Sequence, residues 1–180
     1  ETYILAEALA SSVLKEEYTI VGSCRGRELY GMEYEPLFNF AKVDKKAYYV
    51  VCGDFVTLTD GTGIVHTAPA FGEDDAKVGK ENDLPFVQLV NEQGRFVEEV
   101  TPWKGMFVMD ADPEIIRWLA EEGKLFRKEK MVHNYPHCWR CQTPLLYYAK
   151  PSWYIEMTRL KDKLIENNNG VNWYPDFVGE

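Results

Sequence analysis

His66 follows the apolar pair Ile64 and Val65 in the stretch Gly61 to Asp75, GTGIVHTAPAFGEDD, and three carboxylates, Glu73, Asp74 and Asp75, follow it beyond a proline. Read as strand, turn and helix, Gly61 and Gly63 permit a tight bend, and Ile64, His66 and Ala68 share one face of the strand. Pro69 ends the strand. Gly72 then introduces EDDAKVGKEN, whose first turn holds the three acids, where the helix dipole and the unpaired backbone amides favour negative charge. The pattern brings an imidazole and a carboxylate to the same end of a sheet, a pairing able to hold a small cation and an ester together. It equally admits a purely structural role: a histidine among apolar neighbours is commonly a satisfied core or turn residue, and acids at a helix start commonly serve only the helix. No Gly-x-Ser-x-Gly elbow, His-Glu-x-x-His helix or phosphate loop accompanies them, which argues against an ordinary nucleophilic hydrolase.

A second group is Cys138 and Cys141, spaced as CWRC between Pro136 and Thr143. That is the knuckle spacing that holds one side of a tetrahedral zinc, and two thiolates make half a site. His133 and His137 are nearby, but adjacent residues seldom reach one metal comfortably. The other reading is a tight turn whose cysteines are simply buried. Cys24 and Cys52 are expected to be core thiols. Trp139, Trp153, Tyr147, Tyr148 and Tyr154, interleaved with Arg140, Lys150 and Arg159, form either a surface for stacking and phosphate contact or a packed strand pair.

The elements that must carry these residues are short. Runs rich in β-branched and aromatic residues, such as YTIVGSC, AYYVVCGDFVTL, GIVHTA and FVQLV, are separated by Gly, Asp and Asn. They predict a mainly β fold with peripheral helices, a closed or partly open barrel, because a parallel sheet would need a helix between strands. NEQGRF predicts a hairpin turn. Helices are expected over AEALASSVLKEE and over DPEIIRWLAEEG, with Asp112 as cap, Pro113 in the first turn, Gly123 at the end and Ile115, Ile116 and Leu119 as the buried stripe. TRLKDKLIENNNG predicts a third, with Leu160, Leu164 and Ile165 inward. A boundary is expected within 126–131, dividing a domain of residues 1–130 from a segment of residues 131–180.

The 180 residues are 46% hydrophobic and 27% charged, the composition of a folded protein. Without a long apolar run or a signal-like start, the chain reads as cytoplasmic, with reduced thiols and no membrane partner. The net charge of -9 argues against a domain that coats nucleic acid indiscriminately. The stretch from Lys124 to Lys163 nevertheless carries nine Lys or Arg against three Asp or Glu, leaving a local face able to meet a polyanion. The first residue is Glu1, not methionine, and the chain is expected to be a piece of something larger.

The run GTGIVHTAPAFGEDD resembles the signature of the editing domain of isoleucyl-tRNA synthetases, and YPHCWRCQTPLLYYAKPSWYI resembles the segment returning from that insertion to the catalytic core. NGVNWYPD is similar to the same family. The related insertions of valyl and leucyl enzymes do not carry Val-His-x-Ala-Pro followed by Phe-Gly, which makes His66 the discriminating residue.

The resemblance implies hydrolysis of tRNA(Ile) charged in error with valine. Valine lacks one methylene of isoleucine, worth only about 1–3 kcal/mol in an apolar pocket, so a second site must reject the error. It further implies that Asp75 holds the α-ammonium group of the substrate, and that His66 lies near its side chain and terminal ribose and limits pocket size. Thr62, Gly63, Ala68, Pro69 and Phe71 would be the scaffold of that pocket, and Asp74 is the alternative to Asp75. An aminoacyl ester is activated, so aligning a water supplies much of the acceleration, and no dedicated general base is singled out. The partners implied are the 3′ end of tRNA(Ile) carrying valine and the catalytic domain of the parent synthetase. ATP and magnesium belong only to that parent, and the zinc ligands beyond Cys138 and Cys141 would lie outside this chain. The family also carries a threonine-rich peptide, reading like Thr-Thr-x-Pro-Trp-Thr, in the same pocket. This sequence contains none, and by order it would precede Glu1, so the isolated chain is expected to be incomplete for catalysis. The readings set against editing for isoleucine are a non-catalytic tRNA-positioning or zinc-structured module, and an editing domain of a valyl or leucyl enzyme.

Overall fold

The computed structural model describes residues 1–130 and 132–179. The chain forms two compact units, Glu1–Ala149 and Lys150–Glu180. Met131, the first residue of the expected return segment, lies outside the described residues, as does Glu180.

Four α-helices occur among the described residues: α1 (Ala10–Leu14), α2 (Glu73–Glu81), α3 (Val108–Glu121) and α4 (Met157–Asn169). Short 3-10 turns cover Glu7–Leu9, Gly26–Leu29, Thr101–Trp103 and Asp176–Gly179. Helical residues make up 31% and bridged extended residues only 4%, with no sheet and no barrel among the described residues, which overturns the expected mainly β fold. Backbone pairing starts but does not propagate. Gly31 N–H donates to Val50 O at 2.8 Å, Val50 N–H to Met32 O at 2.8 Å and Tyr34 N–H to Tyr48 O at 2.9 Å, yet only Glu33 and Tyr49 form a bridge. Tyr48, at φ 59°, breaks the extended run beside it. The turn over NEQGRF is present: Asn91 N–H meets Arg95 O at 2.8 Å, Gly94 takes φ 72°, and Val90 bridges Phe96. The β-branched runs thus record a preference for extended backbone, whereas a ladder needs a partner in register, which composition does not specify.

α3 starts at Val108, after Phe107 and without a side-chain cap, so Asp112 is no cap and Pro113 lies inside the helix. Its end matches expectation. Gly123 takes φ 65°, its N–H meets Ala120 O at 3.1 Å, and Lys124 N–H reaches back to Leu119 O at 2.8 Å, the paired closure that glycine permits after a helix. Ala111, fully buried, forms the centre of the core with Val100 and Trp103, and Phe38, Phe40, Ile115 and Trp118 pack around it. Ile116 and Leu119 are half-buried. The rings of Trp103 and Trp118 meet edge to face at 6.1 Å.

In the second unit α4 forms as expected, with Gly170 as its C-cap, but it buries no residue. Leu160, Leu164 and Ile165 are exposed, contrary to the inward placement expected of them. A unit of this size has too little chain to cover an amphipathic helix by itself. No helix among the described residues is long and apolar enough to cross a membrane.

Candidate active site

α2 is placed by its own sequence and by the segment before it. Gly72 is its N-cap, and Glu73, Asp74 and Asp75 occupy its first turn. Val78 and Gly79 are its buried positions. A Cβ at Gly79 would stand 2.8 Å from Pro69 Cγ, so the missing side chain lets the helix lie directly on the proline. Ala70, at 2% exposure, is enclosed between them in sequence.

The Asp75 carboxylate closes this unit. Its Oδ1 accepts the N–H of Ala68 at 2.8 Å, while Phe71 N–H turns back to Ala68 O at 2.9 Å. One carboxylate therefore ties the start of α2 to the backbone two residues beyond His66. A side chain on Gly72 would meet the other carboxylate oxygen, so substitution there would displace the Asp75 side chain, the backbone itself being ordinarily extended. The sequence carries a signal for this contact: an acid three residues after a helix cap is the position that reaches back to upstream amides.

A cavity of about 2290 Å³ opens in the first unit, and His66, Gly63, Ala68, Pro69 and Phe71 are among its lining residues. Thr62, Asp74 and Asp75 do not line it. His66 is exposed and has no hydrogen-bond partner among the described residues. Residues 64–68 take no regular secondary structure and form no bridge, so the strand expected there is absent among the described residues. Thr62 stabilises its own turn, donating from Oγ1 to Ile64 O at 3.0 Å, and its carbonyl accepts Ala6 N–H at 2.8 Å. Asp74 is exposed on α2. The expected pair is thus divided in its duties: the imidazole faces the cavity, and the carboxylate of Asp75 holds the loop that carries it.

Cys138 and Cys141 lie on a tight hairpin. Cys138 N–H donates to Thr143 O at 2.8 Å, Leu145 N–H to Pro136 O at 3.0 Å, and Gln142 takes φ 60° at the turn. Cys141 is exposed and Cys138 half-buried, so neither is a fully buried core thiol. Exposed Cys24 and Cys52 likewise depart from the expected core placement. The Thr143 hydroxyl, 2.9 Å from Cys141 Sγ, holds that thiol below its ordinary range, with further help from the Thr143 backbone and Cys138. Among the described residues no third His, Cys, Asp or Glu joins the pair into a metal-binding group. His137 is engaged elsewhere, its Nδ1 2.8 Å from Tyr135 O. The two sulfurs fit half of a tetrahedral zinc set by chemistry and sequence spacing, and the described residues supply no remainder.

No family model matches the chain. Among curated proteins it is 61% identical over 178 residues to the isoleucine-tRNA ligase of Clostridium acetobutylicum, and 61% identical over 178 residues to that of Clostridium novyi. The isoleucine-tRNA ligase of Bacillus thuringiensis is 48% identical over 176 residues. These alignments cover 98–99% of this chain and 17% of each relative, so the chain spans about a sixth of the length of the curated relatives it matches. At such identity over nearly all of its residues, the chain belongs to the isoleucine-tRNA ligase family, as one segment of such a ligase.

Proposed function

We propose that this segment is the editing site of an isoleucine-tRNA ligase, which hydrolyses valine esterified in error to tRNA(Ile). The observation that carries the reading is the tie between Asp75 and Ala68, which fixes the loop whose His66 lines the cavity and leaves the carboxylate beside that loop. In the reaction water adds to the ester carbonyl, the acyl–oxygen bond breaks, and valine leaves with the ribose hydroxyl restored. Asp75 orients the α-ammonium group through its lone pairs not used by Ala68, a charge-assisted contact. His66, without a hydrogen-bond partner among the described residues, limits the space beside the amino-acid side chain and positions the ester. Pocket size then separates valine from isoleucine, a task that a single apolar pocket performs by only about 1–3 kcal/mol.

The substrate reading also gives the segment its partners, the 3′ end of tRNA(Ile) and the catalytic domain of the same ligase, and a cytoplasmic place of work. Cys138 and Cys141 would hold a structural zinc together with ligands outside this chain, which would brace the hairpin and take no part in hydrolysis.

Deacylation of valyl-tRNA(Ile) and isoleucyl-tRNA(Ile) tests the proposal, using a full-length ligase carrying this sequence, this chain alone, and a chain extended upstream through a threonine-rich peptide. The full-length and extended proteins are expected to clear valine and spare isoleucine. Asp75→Ala should abolish the hydrolysis, and His66→Ala should let isoleucyl-tRNA be cleaved as well. If Asp75→Ala hydrolyses normally, the role of that carboxylate is lost; if the full-length ligase clears neither ester yet binds tRNA, the segment is a positioning module.

A further inference from the structure

We infer that Ala6 is a positioning residue for the editing reaction, because its backbone and methyl group set the register of the Thr62–His66 segment. This inference rests on the editing reading of that segment. Three observations meet at one point. Ala6 N–H donates to Thr62 O at 2.8 Å, a contact across 56 residues of chain. Gly63 takes φ 74°, and a Cβ added to it would collide with the methyl carbon of Ala6 and lie 3.5 Å from its nitrogen. Both Ala6 and Gly63 line the same cavity as His66.

The N-terminal segment that presents Ala6 is itself held at several points. The Tyr3 ring lies 4.9 Å from that of Phe126, edge to face. Beyond Ala6, Leu9, Ala10 and Val13 are buried. The Arg127 guanidinium donates to Val13 O at the end of α1, and Lys15 pairs with Glu129 at 3.1 Å. Ala6 is therefore a fixed stop and not a passing neighbour. A larger side chain there pushes on the Gly63 backbone, and His66, three residues later, has no hydrogen-bond partner among the described residues to resist the shift. Side-chain size at position 6 is thereby transmitted to the histidine that faces the cavity.

The test uses a full-length isoleucine-tRNA ligase carrying this sequence, with four variants: Ala6→Val, Gly63→Ala, the double variant Gly63→Ala with Ala6→Gly, and His66→Ala as a reference. Ala6→Val is expected to lower kcat for valyl-tRNA(Ile) deacylation about tenfold or more with KM nearly unchanged, since a displacement of about 1 Å can cost up to about a hundredfold. Aminoacylation with isoleucine and the melting temperature should stay at the parent values. Gly63→Ala should lose deacylation similarly, and the double variant should recover part of it because the methyl collision is gone while the left-handed backbone remains. Unchanged deacylation in Ala6→Val, a parallel fall in aminoacylation, or no recovery in the double variant would each overturn the positioning role. If His66→Ala also deacylates normally with unchanged discrimination, the editing reading itself falls; if His66→Ala alters rate or discrimination and Ala6→Val alters neither, only this inference falls.

Discussion

The Asp75 carboxylate has two separable duties, and residue-scale chemistry distinguishes them. Its hydrogen bond to Ala68 N–H requires an acceptor oxygen in that place, whereas its proposed hold on an α-ammonium group requires negative charge. Asparagine retains the first and loses the second. Asp75→Asn is therefore expected to melt close to the parent yet lose most valyl-ester hydrolysis. Asp75→Ala should additionally lose about 1–3 kcal/mol of stability by leaving a part-buried amide without its partner. Urea denaturation of both variants beside the deacylation assay checks the division: equal destabilisation would mean that charge, not acceptor geometry, holds the loop. Gly72 belongs to the same scale, since any side chain there meets the same carboxylate.

At the scale of elements, α3 provides the packing and the N-terminal latch provides the restraint. Trp103, at 6% exposure, fills the space between α3 and the turns before it. Trp103→Ala should cost about 3–5 kcal/mol, read from the midpoint of urea unfolding. The latch around Glu129 is electrostatic and exposed, with Lys15 and Arg127 each at 3.1 Å. The hydrogen bond from Lys15 and the charge of Arg127 hold the Glu129 carboxyl below its ordinary range. A lowered native value means that the stabilisation is present above the unfolded glutamate range and is lost as pH falls through the native one. Glu129→Gln should accordingly flatten the acid limb of a melting-temperature profile while changing the neutral-pH value little, because exposed pairs contribute little. An unaltered acid limb would show that the latch is not coupled to folding.

Taken as a whole molecule, the chain is acidic, yet it belongs to a family whose substrate includes a polyanion. On the proposed editing reading, phosphate contact comes from a local surface. Lys128 and Lys130 are exposed within the basic stretch and, being close to the latch, sit on the first compact unit. Replacing both by glutamate in the full-length ligase should weaken tRNA binding and reduce the slope of log K against log salt by about 1 per contact removed. Melting temperature should not move. An unchanged slope would assign the phosphate contacts elsewhere.

Much of this was present in the order of residues. The start of α2 at Gly72, the closure of α3 at Gly123, the turn at Gly94 and the tight turn around Cys138 and Cys141 are all local: each depends on residues within a few positions, through left-handed backbone, dipole or spacing. The motif around His66 and Asp75 named the family for the same reason. Tertiary structure alone decided what these residues meet. That Ala6 meets Gly63, and that the β-rich runs form single bridges where a barrel was expected, depend on contacts between distant stretches. Periodicity reports which face of an element is apolar, but the partner and register of that face are set only when the whole chain is packed.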